Sequence, residues 1–376
     1  MRFVNGNIHE FRTAVKGKNL VCFGAGQVLR NFMEEFAAYR LEQGVLCIAD
    51  NRCGQMPATI QIAETEIPVV SVEQLLRMKN IMILISCRAI ADVYQQLDVY
   101  PELKEVSCWA ANFIRSETRM QLEQSRWYPS SYRLTKEPLI PKKIHYCWFG
   151  GKPIPQKNLE WMQSWKKYCP DYEIIRWDED TYDVTKNVYM YEAYQAGKWG
   201  FVSDYARLDM IYRYGGIYLD TDVELIRNLD ELLYQKAFAG IDSSQNISLG
   251  LGFGAQQGCQ IIKELRNIYD TKSFLNKDGT YNLTAAPTLQ RTFFQEKGYV
   301  NHGDYQIVDE LTVYPEKVLS AKCNWTGRIL PTKHTFSIHH FDGSWVDEVV
   351  QHLIKRNQKM FWEVTEGSKM PWEDFK

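Results

Sequence analysis

The stretch that decides how this chain folds is Tyr214-Gly215-Gly216-Ile217-Tyr218-Leu219-Asp220-Thr221-Asp222. Its alternating pattern predicts a strand on which Ile217 and Leu219 face a core, while Tyr218 and Asp220 face the opposite side. The two glycines that precede the strand permit a positive φ angle or a close approach of the backbone. Two carboxylates one residue apart can converge on Mg2+ or Mn2+, which then binds phosphate oxygens and water as well. The stretch therefore predicts a clamp for a metal ion and a diphosphate.

An Asp-x-Asp pair alone is weak support for a metal site, because aspartate is common in turns. The chain contains another acidic run, Asp178-Glu179-Asp180, which no glycine pair precedes. Asp220 and Asp222, in contrast, follow a glycine pair and a short apolar strand. Their context therefore favours them over the other run as the cation clamp.

The composition is that of a folded protein with no affinity for nucleic acid. The chain has 376 residues, a hydrophobic content of 45% and a net charge of −2. This length suits two domains. A nucleic-acid-binding surface needs a cluster of Lys and Arg, and the sequence has no long basic block. We therefore expect no nucleic-acid partner.

The cysteines and the termini favour a cytoplasmic protein. Nine cysteines are scattered along the chain without a Cys-x-x-Cys pair, which is typical of reduced thiols. The first residues lack the apolar core of a signal peptide, and no apolar run approaches the ~20 residues of a membrane span. The segment 345–362 mixes apolar and basic residues, so peripheral contact with the inner face of a membrane stays open as an alternative to a packed C-terminal helix.

The N-terminal part predicts a parallel, doubly wound α/β sheet, because strand-like and helix-like segments alternate from residue 19 to residue 109. Gly24 and Gly26 follow the first of these strands, and Asp50 follows the second. Such glycines can hold a nucleotide phosphate at a helix N-terminus while the acidic residue meets a ribose hydroxyl. The third glycine of that fingerprint is replaced by Leu29. A turn without a ligand is the alternative interpretation.

This part of the chain resembles the small Rossmann-type domain of capsule and lipopolysaccharide sugar-assembly proteins. The resemblance rests on a recurring pattern of three short motifs: Gly24-Ala25-Gly26, Asp50-Asn51 and Ile67-Pro68-Val69. A polar segment follows, and it contains Pro129-Ser130-Ser131. We predict a Rossmann-like domain at residues 1–115, a linker at 116–138 and a second domain at 139–376.

Asp204 and Arg207 lie sixteen and thirteen residues before Asp220. Positions i and i+3 share one face of a helix, so both side chains can project toward Asp220. Arg207 would then meet phosphate or sugar oxygens, and Asp204 would accept from a sugar hydroxyl. An ion pair within the helix explains the same spacing equally well.

Three motifs together carry a family resemblance. Residues 139–345 resemble glycosyltransferase family 32, which comprises DXD-motif sugar transferases and is related to the glucosyltransferase domains of large clostridial toxins. The motifs occur in the family's order: Ile144-His145-x-x-Trp148, Ser203-Asp204-x-x-Arg207 and Tyr214-Gly215-Gly216-Ile217-Tyr218-Leu219-Asp220-x-Asp222. The resemblance implies a GT-A type fold for the second domain. The chain departs from the family at Thr284-Ala285-Ala286-Pro287, where relatives usually carry a glycine before the proline.

The same resemblance implies a role for each site residue. Trp148 would stack on the donor base, Asp204 and Arg207 would hold the donor sugar and phosphates, and Tyr218 would line the nucleotide pocket. Asp220 would contact ribose, sugar or metal, and Asp222 would bind the metal most directly. A C-terminal segment would complete the site, with Ser344 and Trp345 at the donor. His340 is the preferred further metal ligand, ahead of these alternatives: His339, Asp342 and Ser344.

The implied activity is a metal-dependent transfer of a hexose, with retention of configuration, from a UDP- or GDP-linked sugar. The acceptor would be a glycan, lipid-linked acceptors included, in the synthesis of capsule, lipopolysaccharide or another surface polysaccharide. Mn2+ or Mg2+ would be the cofactor. A nucleotide-sugar dehydrogenase or epimerase that uses the N-terminal domain is the alternative, supported by Gly24-Ala25-Gly26 and by a Tyr-x-x-x-Lys pair at Tyr194 and Lys198.

Overall fold

The computed structural model describes residues 1–343 and 348–365, which form two compact units. The first unit contains Met1–Arg126, the short segment Asn324–Gly327 and the C-terminal helix. The second unit contains Trp127–Cys323 and the described residues from 328 to 343. Both units are α/β, as predicted.

Residues 1–126 alternate strands and helices. Their strands are β1 (Arg2–Phe3), β2 (Asn19–Phe23), β3 (Val45–Ala49), β4 (Thr59–Ile62), β5 (Thr65–Val70), β6 (Ile81–Ile85) and β7 (Ser107–Ala110). Their helices are α1 (Ile8–Val15), α2 (Gln27–Glu35), α3 (Val72–Leu76), α4 (Ile90–Asp98) and α5 (Ala111–Glu123). The strands form a seven-stranded sheet in the order β1-β7-β6-β2-β3-β5-β4. All neighbours pair in parallel except β4 and β5.

This sheet is buried on both faces, as a doubly wound sheet requires. Successive side chains of a strand point to opposite faces. On β2, Val21 and Phe23 belong to one hydrophobic core, while Leu20 and Cys22 belong to another. The prediction of a doubly wound N-terminal fold is confirmed.

The second unit is built on a mixed sheet. Its strands are β8 (Lys143–Cys147), β9 (Glu173–Trp177), β10 (Gly216–Tyr218), β11 (Val223–Leu225), β12 (Ala237–Ile241), β13 (Ile247–Ala255), β14 (Gln306–Val308), β15 (Leu311–Tyr314) and β16 (Ser337–His339). Its helices are α6 (Gln156–Tyr168), α7 (Val188–Gln195), α8 (Trp199–Tyr214), α9 (Gln260–Asn267), α10 (Ala286–Glu296) and α11 (Glu316–Leu319). Seven strands follow the order β14-β15-β12-β13-β10-β8-β9, and β11 pairs separately with β16.

Strands β9, β8 and β10 are adjacent and parallel, so their carboxyl ends lie at one edge of the sheet. Trp148 follows β8 at this edge, and Asp220 follows β10 two residues beyond the strand. Ligands of α/β proteins bind outside the carboxyl ends of parallel strands. The fold therefore brings two of the predicted motifs to the same edge.

The C-terminal helix α12 (Glu348–Thr365) belongs to the first unit, whereas the sequence predicted that it continues the second domain. Asn357 accepts a hydrogen bond from the backbone of Ala91 at 3.0 Å, and its amide donates to the carbonyl of Arg88 at 2.7 Å. Phe361 packs edge-to-face on Phe113, with the ring centroids 4.9 Å apart. The predicted bounds failed because these contacts join residues that are more than 200 positions apart.

The predicted linker at 116–138 also differs from the structure, because α5 extends to Glu123 and contributes to the first unit. Glu117 and Thr118 of this helix are buried. Among the helices of the described residues, none combines the length and the apolar composition needed to cross a bilayer.

Truncation of Phe361 should destabilise the first unit although this residue lies near the C-terminus. Phe361 is fully buried, so Phe361→Ala is expected to cost about 3–5 kcal/mol of unfolding free energy. Hydrogen exchange of the amides in β6 and α4 measures the loss. Val349→Ala on the same helix, at an exposed position, should change exchange by no more than about 0.5 kcal/mol. Unchanged exchange in Phe361→Ala would contradict the assignment of α12.

Candidate active site

A glycine turn joins helix α8 to strand β10. Gly215 and Gly216 have φ angles of 61° and 108°, which other residues rarely adopt. A Cβ atom on Gly216 would lie 2.9 Å from His145 Nε2 and equally close to the carbonyl oxygen of Lys143. Only glycine therefore fits at this position, and the turn sets the direction in which β10 leaves the helix.

Buried His145 holds this turn and is a structural residue. The indole N–H of Trp177 donates to His145 Nδ1 at 3.0 Å. Because Nδ1 is thereby the acceptor, Nε2 carries the proton and donates to the carbonyl oxygen of Gly215 at 2.9 Å. Burial lowers the pKa of His145 to about 4, so the ring stays neutral near pH 7.

Asp220 lies two residues beyond β10, next to a glycine whose missing side chain leaves room for the carboxylate. The hydroxyl of Tyr218 donates to Asp220 Oδ1 at 2.8 Å, so both side chains share one face, as predicted. Gly250 on β13 lies so close that an added Cβ would be 2.5 Å from Asp220 Oδ2. Burial raises the pKa of Asp220, and the charge of Asp222 acts in the same direction.

Asp222 is buried and is contacted by the segment that follows β16. The backbone N–H of Asp342 donates to Asp222 Oδ2 at 2.8 Å, and His339 Nε2 lies 3.3 Å from Asp222 Oδ1. Ligand atoms of Asp220, Asp222 and His339 all lie within 4.8 Å of one another. Two hard carboxylates and an imidazole suit Mn2+ or Mg2+. These three residues therefore fit a divalent metal ion.

His340, the preferred further ligand in the sequence analysis, points elsewhere. His340 Nε2 lies 2.8 Å from Glu224 Oε2, and its ring stacks on Trp161 with the centroids 4.1 Å apart. The reason is strand geometry: His339 pairs with Val223 in the β11–β16 ladder, and adjacent side chains face opposite sides. His339, an alternative in the sequence analysis, takes the position at Asp222.

Asp204 and Arg207 lie on one face of α8, and the two interpretations of their spacing are both compatible with the structure. The guanidinium of Arg207 pairs with Asp204 and also lies 4.0 Å from Asp220 Oδ1. Among the described residues, buried Arg207 Nε has no hydrogen-bond partner. Burial raises the pKa of Asp204 to about 6, although Arg207 opposes this shift. A buried cation thus lies beside the candidate metal ligands.

Two lysines near Asp222 were not singled out from the sequence. Lys322 Nζ donates to the carbonyl oxygen of His340 at 2.7 Å, and Lys157 of α6 pairs with the Asp342 carboxylate. Burial lowers the pKa of Lys322, and the charges of Asp222 and Asp342 act against that shift. A single lysine in a loop or at the start of a helix has no sequence signature, so only the fold could reveal these two.

Trp148 is half-buried at the carboxyl end of β8, and its indole N–H donates to the carbonyl of Lys152 at 2.6 Å. The ring thus lies at the same sheet edge as Asp220, where the sequence analysis expects a base. Ser344 and Trp345, the predicted donor-binding residues of the C-terminal segment, lie outside the described residues.

Gly24, Gly26 and Asp50 belong to the first unit, where the predicted nucleotide position is occupied by the chain's own contacts. Asp50 Oδ2 accepts from the backbone N–H of Ala25 at 3.2 Å, and Oδ1 accepts from that of Arg52 at 2.9 Å. The carboxylate therefore lies on the glycine turn, where its charge opposes a phosphate. Nucleotide binding by this unit stays a prediction, and these contacts do not favour it.

The geometry of the second unit is that of a sugar-transferase donor site: an Asp-x-Asp pair beside a buried Arg, at the edge of an α/β sheet. Comparison with known families gives the same class. Residues 155–239 match the family described as "Glycosyltransferase sugar-binding region containing DXD motif". The match covers the Asp-x-Asp pair and Arg207, and it confirms the resemblance to DXD-motif glycosyltransferases seen in the sequence.

Curated relatives include two yeast enzymes. Inositol phosphoceramide mannosyltransferase 3 of Schizosaccharomyces pombe is 32% identical over 133 residues, which cover 34% of this chain and 37% of the relative. Mannosyl phosphorylinositol ceramide synthase SUR1 of Saccharomyces cerevisiae is 33% identical over 146 residues, which cover 37% and 38%. The matched parts are thus less than two fifths of either relative's length.

Among solved structures, the PaToxG glycosyltransferase aligns with a TM-score of 0.35 and 19% identity, over 49% of this chain and 79% of that one. At this similarity the alignment adds nothing to the fold described above.

His339, the last residue of β16, and His340, which follows it, offer a matched test of the candidate metal ligands. His339→Ala removes a ligand atom that lies near both aspartates, so the Kd for Mn2+ should rise about tenfold or more. His340→Ala leaves all three ligand atoms in place and should change this Kd less than about threefold. Titration calorimetry with Mn2+ measures both variants. A larger loss in His340→Ala would reverse the assignment.

Gly250→Ala should disturb Asp220 and leave the fold intact. The added methyl group meets a carboxylate oxygen, which can rotate away, so the melting temperature should change little. Rotation takes Asp220 from the cluster, and the affinity for Mn2+ should fall about tenfold. Gly44→Ala adds a methyl group to open space and serves as the control. Wild-type affinity in Gly250→Ala would show that Asp220 does not bind the metal.

Proposed function

We propose that this chain transfers a hexose from a nucleotide-sugar to a hydroxyl group of a glycan, with Asp220, Asp222 and His339 holding a divalent metal ion. The observation that supports this most strongly is the convergence of these three ligands within 4.8 Å beside buried Arg207. Mn2+ or Mg2+ would neutralise the departing diphosphate when bound. The family match of residues 155–239 supports the same class of activity.

Arg207 and Asp204 of α8 would stabilise the charge that develops on the diphosphate as its bond to the sugar breaks. Arg207 is buried, and its Nε has no partner among the described residues, so it can donate to a phosphate oxygen without breaking an existing bond of that atom. Asp204 orients Arg207 through their ion pair. Donors fixed in a buried site stabilise charge without reorganisation, which is usually the largest share of catalysis.

The acceptor hydroxyl would attack the same face of the oxocarbenium-like sugar that the diphosphate leaves, so the configuration is retained. The proton of the acceptor hydroxyl would pass to an oxygen of the departing diphosphate. We assign no side chain as a nucleophile. Asp242 and Asn246, which follow β12, are engaged locally: Asp242 accepts from the backbone of Ser244, and Asn246 from Arg291.

The first donor sugar to test is mannose, because one yeast relative is named as an inositol phosphoceramide mannosyltransferase and the other as a mannosyl phosphorylinositol ceramide synthase. Those names also make a lipid-linked glycan the first acceptor to test. The resemblance of the first unit to capsule and lipopolysaccharide assembly proteins favours an acceptor in surface-polysaccharide synthesis. Cytoplasmic location with peripheral membrane contact remains part of this proposal.

Asp222→Asn should abolish turnover while the fold survives. Wild-type protein with Mn2+ is incubated with a panel of UDP- and GDP-hexoses, and release of the nucleoside diphosphate is measured. The variant should lose about 10²–10³-fold or more of the rate, because the diphosphate loses its main charge stabilisation. Asp180→Asn in the other acidic run is the control, since Asp180 is exposed. Undiminished release by Asp222→Asn, or NADH formation from a nucleotide-sugar, would contradict the proposal.

A further inference from the structure

Helix α6 lies along the segment that carries Asp222. Asn158 Nδ2 donates to Thr221 Oγ1 at 3.2 Å, and the indole N–H of Trp165 donates to the carbonyl oxygen of Val223 at 2.8 Å. Asn158 and Trp165 are seven residues apart, so their side chains project from one face of the helix two turns apart. Both are buried. This face of α6 therefore holds the segment on either side of Asp222.

Thr221 is the middle residue of the Asp-x-Asp pair. The N–H of Val223 donates to the carbonyl oxygen of Asp220 at 3.1 Å, so residues 220–223 form a turn with Thr221 and Asp222 at its centre. The orientation of this turn sets the directions of the two carboxylates. A hydrogen bond to the side chain of Thr221 therefore affects both of them.

The hydrogen bond from α6 to this turn differs from the bonds that hold the two aspartates. The hydroxyl of Tyr218 donates to a carboxylate oxygen of Asp220. The N–H of Asp342 donates to a carboxylate oxygen of Asp222. Both bonds engage carboxylate oxygens, which are the atoms that a metal ion also binds. The bond from α6 ends on the hydroxyl of Thr221, so it fixes the turn without engaging a ligand atom.

Stability alone gives little reason for an amide at position 158. Asn158 is 2% exposed, and its Oδ1 has no hydrogen-bond partner among the described residues. A hydrogen bond between neutral groups contributes only about 0.5–1.5 kcal/mol net, and apolar side chains of similar shape in place of both partners can be neutral or stabilising. The amide is therefore better explained by what it does to Thr221.

We propose that Asn158 is a positioning residue of the metal site, which holds the turn in the conformation where Asp220 and Asp222 converge. The inference rests on the proposed function, which requires a metal ion at these carboxylates. A turn that already has the binding conformation loses less conformational entropy when the ion binds. Asn158 therefore raises the affinity for the ion through Thr221, without contacting the ion.

Titration calorimetry with Mn2+ on the full chain tests this role. Asn158→Leu and Thr221→Val each remove the bond, so each should raise the Kd for Mn2+ about tenfold, as expected when a residue that orients metal ligands is lost. The double variant should also show about a tenfold rise, because both changes remove the same bond. Thr221→Ser keeps the hydroxyl and should restore the Kd of the wild type.

The melting temperature separates positioning of the turn from support of the fold. The double variant exchanges two bonded polar groups for apolar groups, so its melting temperature should equal or exceed that of the wild type while its Kd for Mn2+ is raised. Gln163→Ala, at an exposed position of α6, is the control and should match the wild type in both measurements.

Three results would overturn the inference and leave the proposed function standing. The first is a wild-type Kd in both single variants. The second is a rise of about a hundredfold in the double variant, which would show that Asn158 and Thr221 act independently. The third is a fall in melting temperature with every loss of Mn2+ affinity. If the wild type does not bind Mn2+, the metal site of the proposed function fails, and the inference fails with it.

Discussion

The candidate active site depends on one constraint: a helix and a strand must meet in a turn that only glycine can make. Helix α8 carries Asp204 and Arg207, and strand β10 leads to Asp220. The positive φ angles of Gly215 and Gly216 turn the chain from the helix into the strand within two residues. This turn lets Arg207 of the helix lie 4.0 Å from Asp220 beyond the strand. Buried, neutral His145 fixes the turn by its bond to the Gly215 carbonyl.

Much of this arrangement could be predicted from the sequence, because it follows from local periodicity. A strand period of two separated Leu219 from Asp220, and the structure confirms that separation. A helix period placed Asp204 beside Arg207, and the two side chains do pair. The alternation of strands and helices in the first unit likewise predicted a doubly wound sheet. Periodicity of this kind is a short-range property, so one sequence suffices to read it.

The remaining features depend on pairings between distant segments, which periodicity does not encode. The choice between His339 and His340 is decided by the register of β16 on β11, more than a hundred residues away. Gly250 left a detectable signal, since glycines alternate with apolar residues along β13 and so indicate a close approach on one face. Lys322 left none. The C-terminal helix was misassigned for the same reason, because its partners Ala91 and Phe113 come from the first third of the chain.

That helix has a consequence for how the protein is made. The ribosome completes the strands of the first sheet early, but Phe361, which packs on Phe113, is added only after the second unit has been synthesised. Synthesis at about 5–20 residues per second leaves the two hundred intervening residues a period of tens of seconds. Throughout that time Phe113 lacks the aromatic ring that packs on it in the complete chain. The first unit therefore completes its hydrophobic contacts only after the second unit has been synthesised.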